Sequence, residues 1–175
     1  MELARWPFFS IKEVKKVTEI LNSGKVNSWA GLETHKFEKE FANYIGVNYG
    51  VGMSNGTVAL SAAYIALGIK KDDEVITTPR TFIATSSTLL MIGAKPIFAD
   101  VDINSGNINC KTIRPLINKA TKAIAVVHLG GWPAEMESIC ALGKEFGLRI
   151  IEDCSQSHGA SIDGQKVGSF GDIAT

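Results

Sequence analysis

Apolar positions fall in two textures along this chain. Through Gly46 they recur at helical spacing: Ile11, Val14, Val17 and Leu21 mark one face, and Phe37, Phe41 and Ile45 mark another. Ser10 with Glu13 three residues on has capping-box spacing and opens the first helix, and Gly24 and Gly46 close the two helices. From Tyr49 short apolar runs alternate with helical stretches. The runs predict strands at 51–53, 74–78, 96–99, 123–127 and 149–152, with a further strand starting at Asp172. Helices are predicted between them at 57–67, 82–91, 113–117 and 135–146. Asp163-Gly164 suits the two-residue turn of a small hairpin.

Strand–helix alternation implies right-handed crossovers and an α/β fold, a mostly parallel sheet with helices on both faces. The strands read as continuous apolar runs, as they do when both faces are covered. Residues 57–67 are apolar or small almost all round, which predicts a deeply buried helix. The 175 residues suffice for one domain or a little more.

Composition narrows the partners. Hydrophobic residues at 45% against 21% charged describe a chain with a packed core. Eighteen basic residues balance eighteen acidic ones without a basic block, which argues against nucleic acid. No run is long enough to span a bilayer. The start, Met1 to Trp6, lacks the features of a secretion signal. Cys110, Cys140 and Cys154 are odd in number and widely spaced, so they read as reduced thiols of a cytoplasmic protein, with no metal centre expected.

Ligands of open α/β sheets sit at the carboxyl ends of the strands. After the first predicted strand, Ser54-Asn55-Gly56-Thr57 combines a small residue, a hydroxyl and a helix start, which suits a phosphate. The same residues also serve as an ordinary helix cap. Phe82, after the second strand, offers a face for a flat ring, or a core side chain. Asp153, ending the Ile150-Ile151-Glu152 run, could pair with a protonated ring nitrogen, bind a metal or cap the next segment. Gln156 follows within reach of the same ligand. Together these residues describe one ligand with a phosphate, a flat ring and a pyridinium nitrogen. His128 and His158 read as hydrogen-bonded structural histidines, and Glu152 points to the face opposite Asp153. No G-x-G-x-x-G follows the first strand, which weighs against a dinucleotide domain.

Several stretches resemble one family in order along nearly the whole chain. They are Ser54 to Leu60, Thr81-Phe82-Ile83-Ala84-Thr85, Gly93-Ala94-Lys95-Pro96, His128 to Met136, Ile151 to Ala160 and Gly168 to Ala174. The chain resembles the DegT/DnrJ/StrS family of pyridoxal 5'-phosphate (PLP)-dependent sugar aminotransferases. The resemblance implies the large domain of PLP fold type I. Residues 1–46 would form an N-terminal helical segment and 47–175 a partial PLP-binding domain, with the C-terminal small domain absent. Gly56 and Thr57 would hold the phosphate, Phe82 would stack on the ring, Asp153 would pair with the ring nitrogen and Gln156 would lie near the ring oxygen. The family's Schiff-base lysine would lie beyond Thr175, so the chain alone is expected to be inactive.

The resemblance further implies amination of a nucleotide-diphospho-keto-sugar for polysaccharide biosynthesis, with glutamate as amino donor, by a homodimer. Two alternatives accompany it: a PLP-dependent sugar dehydratase of the same family, and a non-catalytic fragment.

Overall fold

Inward positions alternate along the strands, and this parity builds the layers. The computed structural model describes residues 7–175; the reading of Met1 to Trp6, and the first six residues of the segment 1–46, lie outside the described residues. Five parallel strands are β1 (Glu74–Thr77), β2 (Lys95–Phe98), β3 (Thr121–Val127), β4 (Arg149–Asp153) and β7 (Ile173–Ala174), in the order β2-β1-β3-β4-β7. On one face Ile76, Ile124, Val126 and Ile150 pack with Ile113 of α5 (Cys110–Ile113) and with Met136, Ile139 and Leu142 of α6 (Met136–Phe146). On the other, Val75, Ala123, Ala125 and Ile151 pack with Leu60 and Tyr64 of α3 (Gly56–Ala66) and Ala84 and Leu89 of α4 (Ala84–Met91). Full burial of each large apolar side chain contributes about 1.5–3 kcal/mol.

The local signals largely act as read. Ser10 and Glu13 form a reciprocal capping box on α1 (Ile11–Ser23), and Gly24 closes it in the left-handed conformation. Gly46 closes α2 (Glu33–Ile45) in the same way. Asp163 and Gly164 both have positive φ, 49° and 86°, in the hairpin of β5 (Ser161–Ile162) and β6 (Gln165–Lys166). Among the described residues no helix is long and apolar enough to cross a membrane.

Three expectations need correction. Residues 51–53 are not a strand: they have no strand partner among the described residues, and Val51 is 73% exposed. The segment is tied to α2 instead, where Glu38 accepts the Gly52 N–H at 2.8 Å. The helix α3 is buried on one face only; Leu60, Ala63 and Tyr64 are inside, while Val58 and Ile65 are exposed. Its apolar composition reports what could be covered, not what is. The helix predicted at 113–117 starts earlier, because Asn109 accepts the N–H groups of Lys111 and Thr112, and residues 114–116 at Pro115 continue only as a 3-10 turn.

Strand order fixes where a ligand would sit. From β1 the chain moves outward to β2, then returns to the other side of β1 as β3. The order reverses between β1 and β3, and such a switch point opens a crevice at the carboxyl ends.

Candidate active site

The crevice at that switch point is a cleft of about 350 Å³, lined by Gly56, Thr57, Thr81, Phe82, Val127, Asp153, Ser155 and Gln156 among others. All five residues singled out from the sequence, which run from Gly56 to Gln156, are brought to this one place. A larger hollow of about 440 Å³ opens at the amino end of β4, where Arg149 and Asp172 pair with each other at 2.8 Å. It lies at the wrong end of the strands for a sheet ligand site.

Each wall follows from local chemistry. Asn55 caps α3 by accepting the Val58 N–H at 3.0 Å. The amides of Gly56 and Thr57 lie in the first turn, where a helix leaves its N–H groups without intrahelical partners. A Cβ on Gly56 would sit 3.2 Å from the Ser155 hydroxyl, so glycine lets the helix start approach the loop after β4. Phe82 follows β1 and is 67% exposed. Asp153 ends β4 and is 4% exposed. Its Oδ2 accepts the Thr85 hydroxyl at 2.8 Å, and its Oδ1 accepts the Ser155 hydroxyl at 2.7 Å and the Ser155 N–H at 3.2 Å. Gln156 uses Oε1 to accept the Gly130 N–H at 2.8 Å, which leaves its amide N–H groups without a hydrogen-bond partner among the described residues.

Glu152, one residue back, points away from the cleft and is fully buried. His128 Nδ1 accepts the Ala134 N–H at 3.0 Å, so its Nε2 carries the proton and donates to Glu152 Oε2 at 3.1 Å. Gly168 N–H donates to the same oxygen, and Phe170 and Gly171 N–H donate to Oε1. Burial pushes this carboxyl up, but His128 and the three amides outweigh it and hold it below its ordinary value. Burial pushes the nearby Cys154 thiol up to about 12. The ligand atoms of His128, Glu152 and Cys154 lie within 4.8 Å of one another. All four acceptor sites of Glu152 and both His128 nitrogens are engaged, so this is a hydrogen-bonded buried group and not an ion cage. His158 is exposed and meets the Phe41 ring edge-on.

The pattern described as the DegT/DnrJ/EryC1/StrS aminotransferase family matches residues 9–175. This chain belongs to that family. It is 39% identical over 169 residues to GDP-perosamine synthase of Vibrio cholerae, covering 97% of this chain and 46% of that protein. It is 49% identical over 143 residues to UDP-N-acetyl-3-dehydro-alpha-D-glucosamine 3-aminotransferase of Acidithiobacillus ferrooxidans, covering 82% of this chain and 39% of that protein. The crystal structure of an aminotransferase from Psychrobacter cryohalolentis superposes with a TM-score of 0.96 at 46% identity, over 99% of this chain and 44% of that one. NtdA from Bacillus subtilis, solved with bound cofactor PMP, superposes with a TM-score of 0.86 at 31% identity, over 99% of this chain and 41% of that one. This member of the family thus has the architecture of the PLP fold-type-I large domain and spans less than half the length of the relatives it matches.

Sequence reasoning missed Thr85 and Ser155 as partners of Asp153. Their i and i+2 neighbourhoods carry a signal only for Ser155; the Thr85 contact spans 68 positions and has no local signature.

Proposed function

We propose that the cleft binds PLP and serves a nucleotide-sugar aminotransferase. One observation carries the reading: a buried aspartate at the carboxyl end of β4 shares its cleft with a helix start and an exposed aromatic ring. These groups fit the three parts of the cofactor. Gly56, Thr57 and the α3 start would hold the phosphate dianion, through N–H groups, a hydroxyl and the positive end of the helix dipole. Phe82 would lie on the ring, Asp153 would pair with the ring N–H, and the Gln156 amide would donate to the ring oxygen. When bound, PLP supplies an electron sink for proton removal next to nitrogen.

Among the described residues no lysine lines the cleft, so the chain binds the cofactor without turning over substrate, with 47–175 as the cofactor-binding part and the helices α1 and α2 before it. In the whole protein the reaction is amination of a nucleotide-linked keto-sugar, with glutamate as donor, by a cytoplasmic homodimer. The relatives named for amino-sugar nucleotides support the substrate class. Val58, Ile65 and Ile83, exposed on the α3–α4 side, support an assembly that covers this face.

The test is equilibrium binding of PLP to the purified chain and to Asp153→Ala. Saturable binding, weakened about tenfold or more in the variant, is expected. No saturable binding, or equal binding by both, would sink the reading.

A further inference from the structure

The network behind Asp153 decides which of its lone pairs is left for a ligand. An aspartate carboxylate turns freely about a broad, two-fold torsion unless its oxygens are held. Here Oδ1 accepts both the hydroxyl and the N–H of Ser155, at 2.7 and 3.2 Å. Oδ2 accepts the Thr85 hydroxyl alone, at 2.8 Å. Each carboxylate oxygen offers about two acceptor sites, so among the described residues the open one is on Oδ2, beside Thr85.

Thr85 is itself fixed. Its side chain is fully buried, and the Tyr64 hydroxyl donates to its carbonyl at 2.9 Å. Burial, with the Asp153 charge added, pushes the Tyr64 phenol up, so that donor keeps its proton. The Thr85 hydroxyl has one proton, committed to Asp153. Its 3.0 Å contact with the Thr81 hydroxyl therefore runs in one sense, Thr81 donating to Thr85. Thr81, Thr85 and Asp153 form a chain of donors pointing one way, and each bond polarises the next.

We propose that Thr85 is a positioning residue of this site: its hydroxyl locks the rotation of Asp153 and leaves one lone pair of Oδ2 for a ring N–H. The proposal rests on the reading of Asp153 as the partner of the PLP ring nitrogen. Thr81 stands behind Thr85 as its donor, and Ser155 holds the opposite oxygen. Valine at 85 would keep the shape and remove the bond; serine would keep the bond.

The experiment is 15N NMR of PLP labelled at the ring nitrogen, bound to the chain, with melting temperatures measured in parallel. Wild type should show the signal of a protonated ring nitrogen. Thr85→Val should move it toward the unprotonated position and weaken PLP binding about tenfold, and Thr85→Ser should restore both. If Thr85→Val loses its melting transition, Thr81→Val, which removes only the donor behind Thr85, carries the test with the same direction expected. A protonated signal in wild type that stays unchanged in the folded valine variant overturns the role of Thr85 alone. Absence of a protonated signal in wild type overturns the pairing with Asp153, and the role of Thr85 with it.

Discussion

Gln156 Oε1 accepts the N–H of Gly130 at 2.8 Å, which ties the loop after β4, part of the cleft wall, to the turn after β3. The contact also sorts the two ends of the amide, with the oxygen bonded to the protein and the N–H groups without a partner among the described residues.

Gln156→Glu keeps an acceptor for Gly130 and replaces the donors with a negative oxygen. Under the proposed placement of the cofactor, PLP affinity should fall about tenfold or more, because the ring oxygen would then meet a like charge in place of a donor. The melting temperature should stay near wild type. Titration of PLP into both proteins checks this, and equal affinities would contradict the assigned orientation.

Glu152 makes stability depend on acid. Its carboxyl is held below the ordinary 4.5 in the folded chain. A lowered folded value contributes stability above the unfolded value and loses it as pH falls through the folded one. Glu152→Gln should therefore cost about 1–3 kcal/mol near neutral pH, since an amide nitrogen would face backbone donors. The difference from wild type should shrink as pH drops below 4.5. Melting curves across that range check the sign, and a gap that widens in acid would refute it.

Gly171→Ala tests the close approach behind Glu152. A Cβ there would lie 2.7 Å from the Ile150 carbonyl oxygen, a backbone atom that cannot swing aside. The variant should lose about 1–3 kcal/mol in denaturant unfolding. Unchanged stability would mean that the 168–171 loop shifts freely.

Cys154 should resist thiol reagents. It is 8% exposed and its thiol is pushed up to about 12, so almost none is thiolate near neutral pH. A colorimetric thiol count should reach all three cysteines only in denaturant. Rapid labelling of Cys154 in the native chain would count against the buried placement.

Local chemistry made much of this legible in advance. Capping residues such as Ser10 and Glu13 act within one turn, and an Asp-Gly turn needs only its own two residues. The apolar runs of β1, β3 and β4 identified themselves because both their faces are covered. What escaped depends on partners distant in sequence. Residues 51–53 have strand-like composition but no neighbouring strand among the described residues, and hydrogen bonding to a neighbour is what makes a strand. The walls of the cleft were legible because a helix start and a strand end are sequence events. The hydroxyl of Thr85 was not, since only the fold brings it to Asp153.

The pleat of β4 sets two neighbouring acids to different work. Glu152 fastens the loop that leads into β7, and Asp153 faces the cleft. Their division of labour belongs to the strand's phase and not to either residue's chemistry. A one-residue slip of β4 would exchange them, turning toward the cleft the carboxyl that belongs in the core and starving the loop of its acceptor. A length change in the turn before Arg149 would therefore do more harm than replacement of either acid, and insertions there should be far scarcer among working relatives than substitutions.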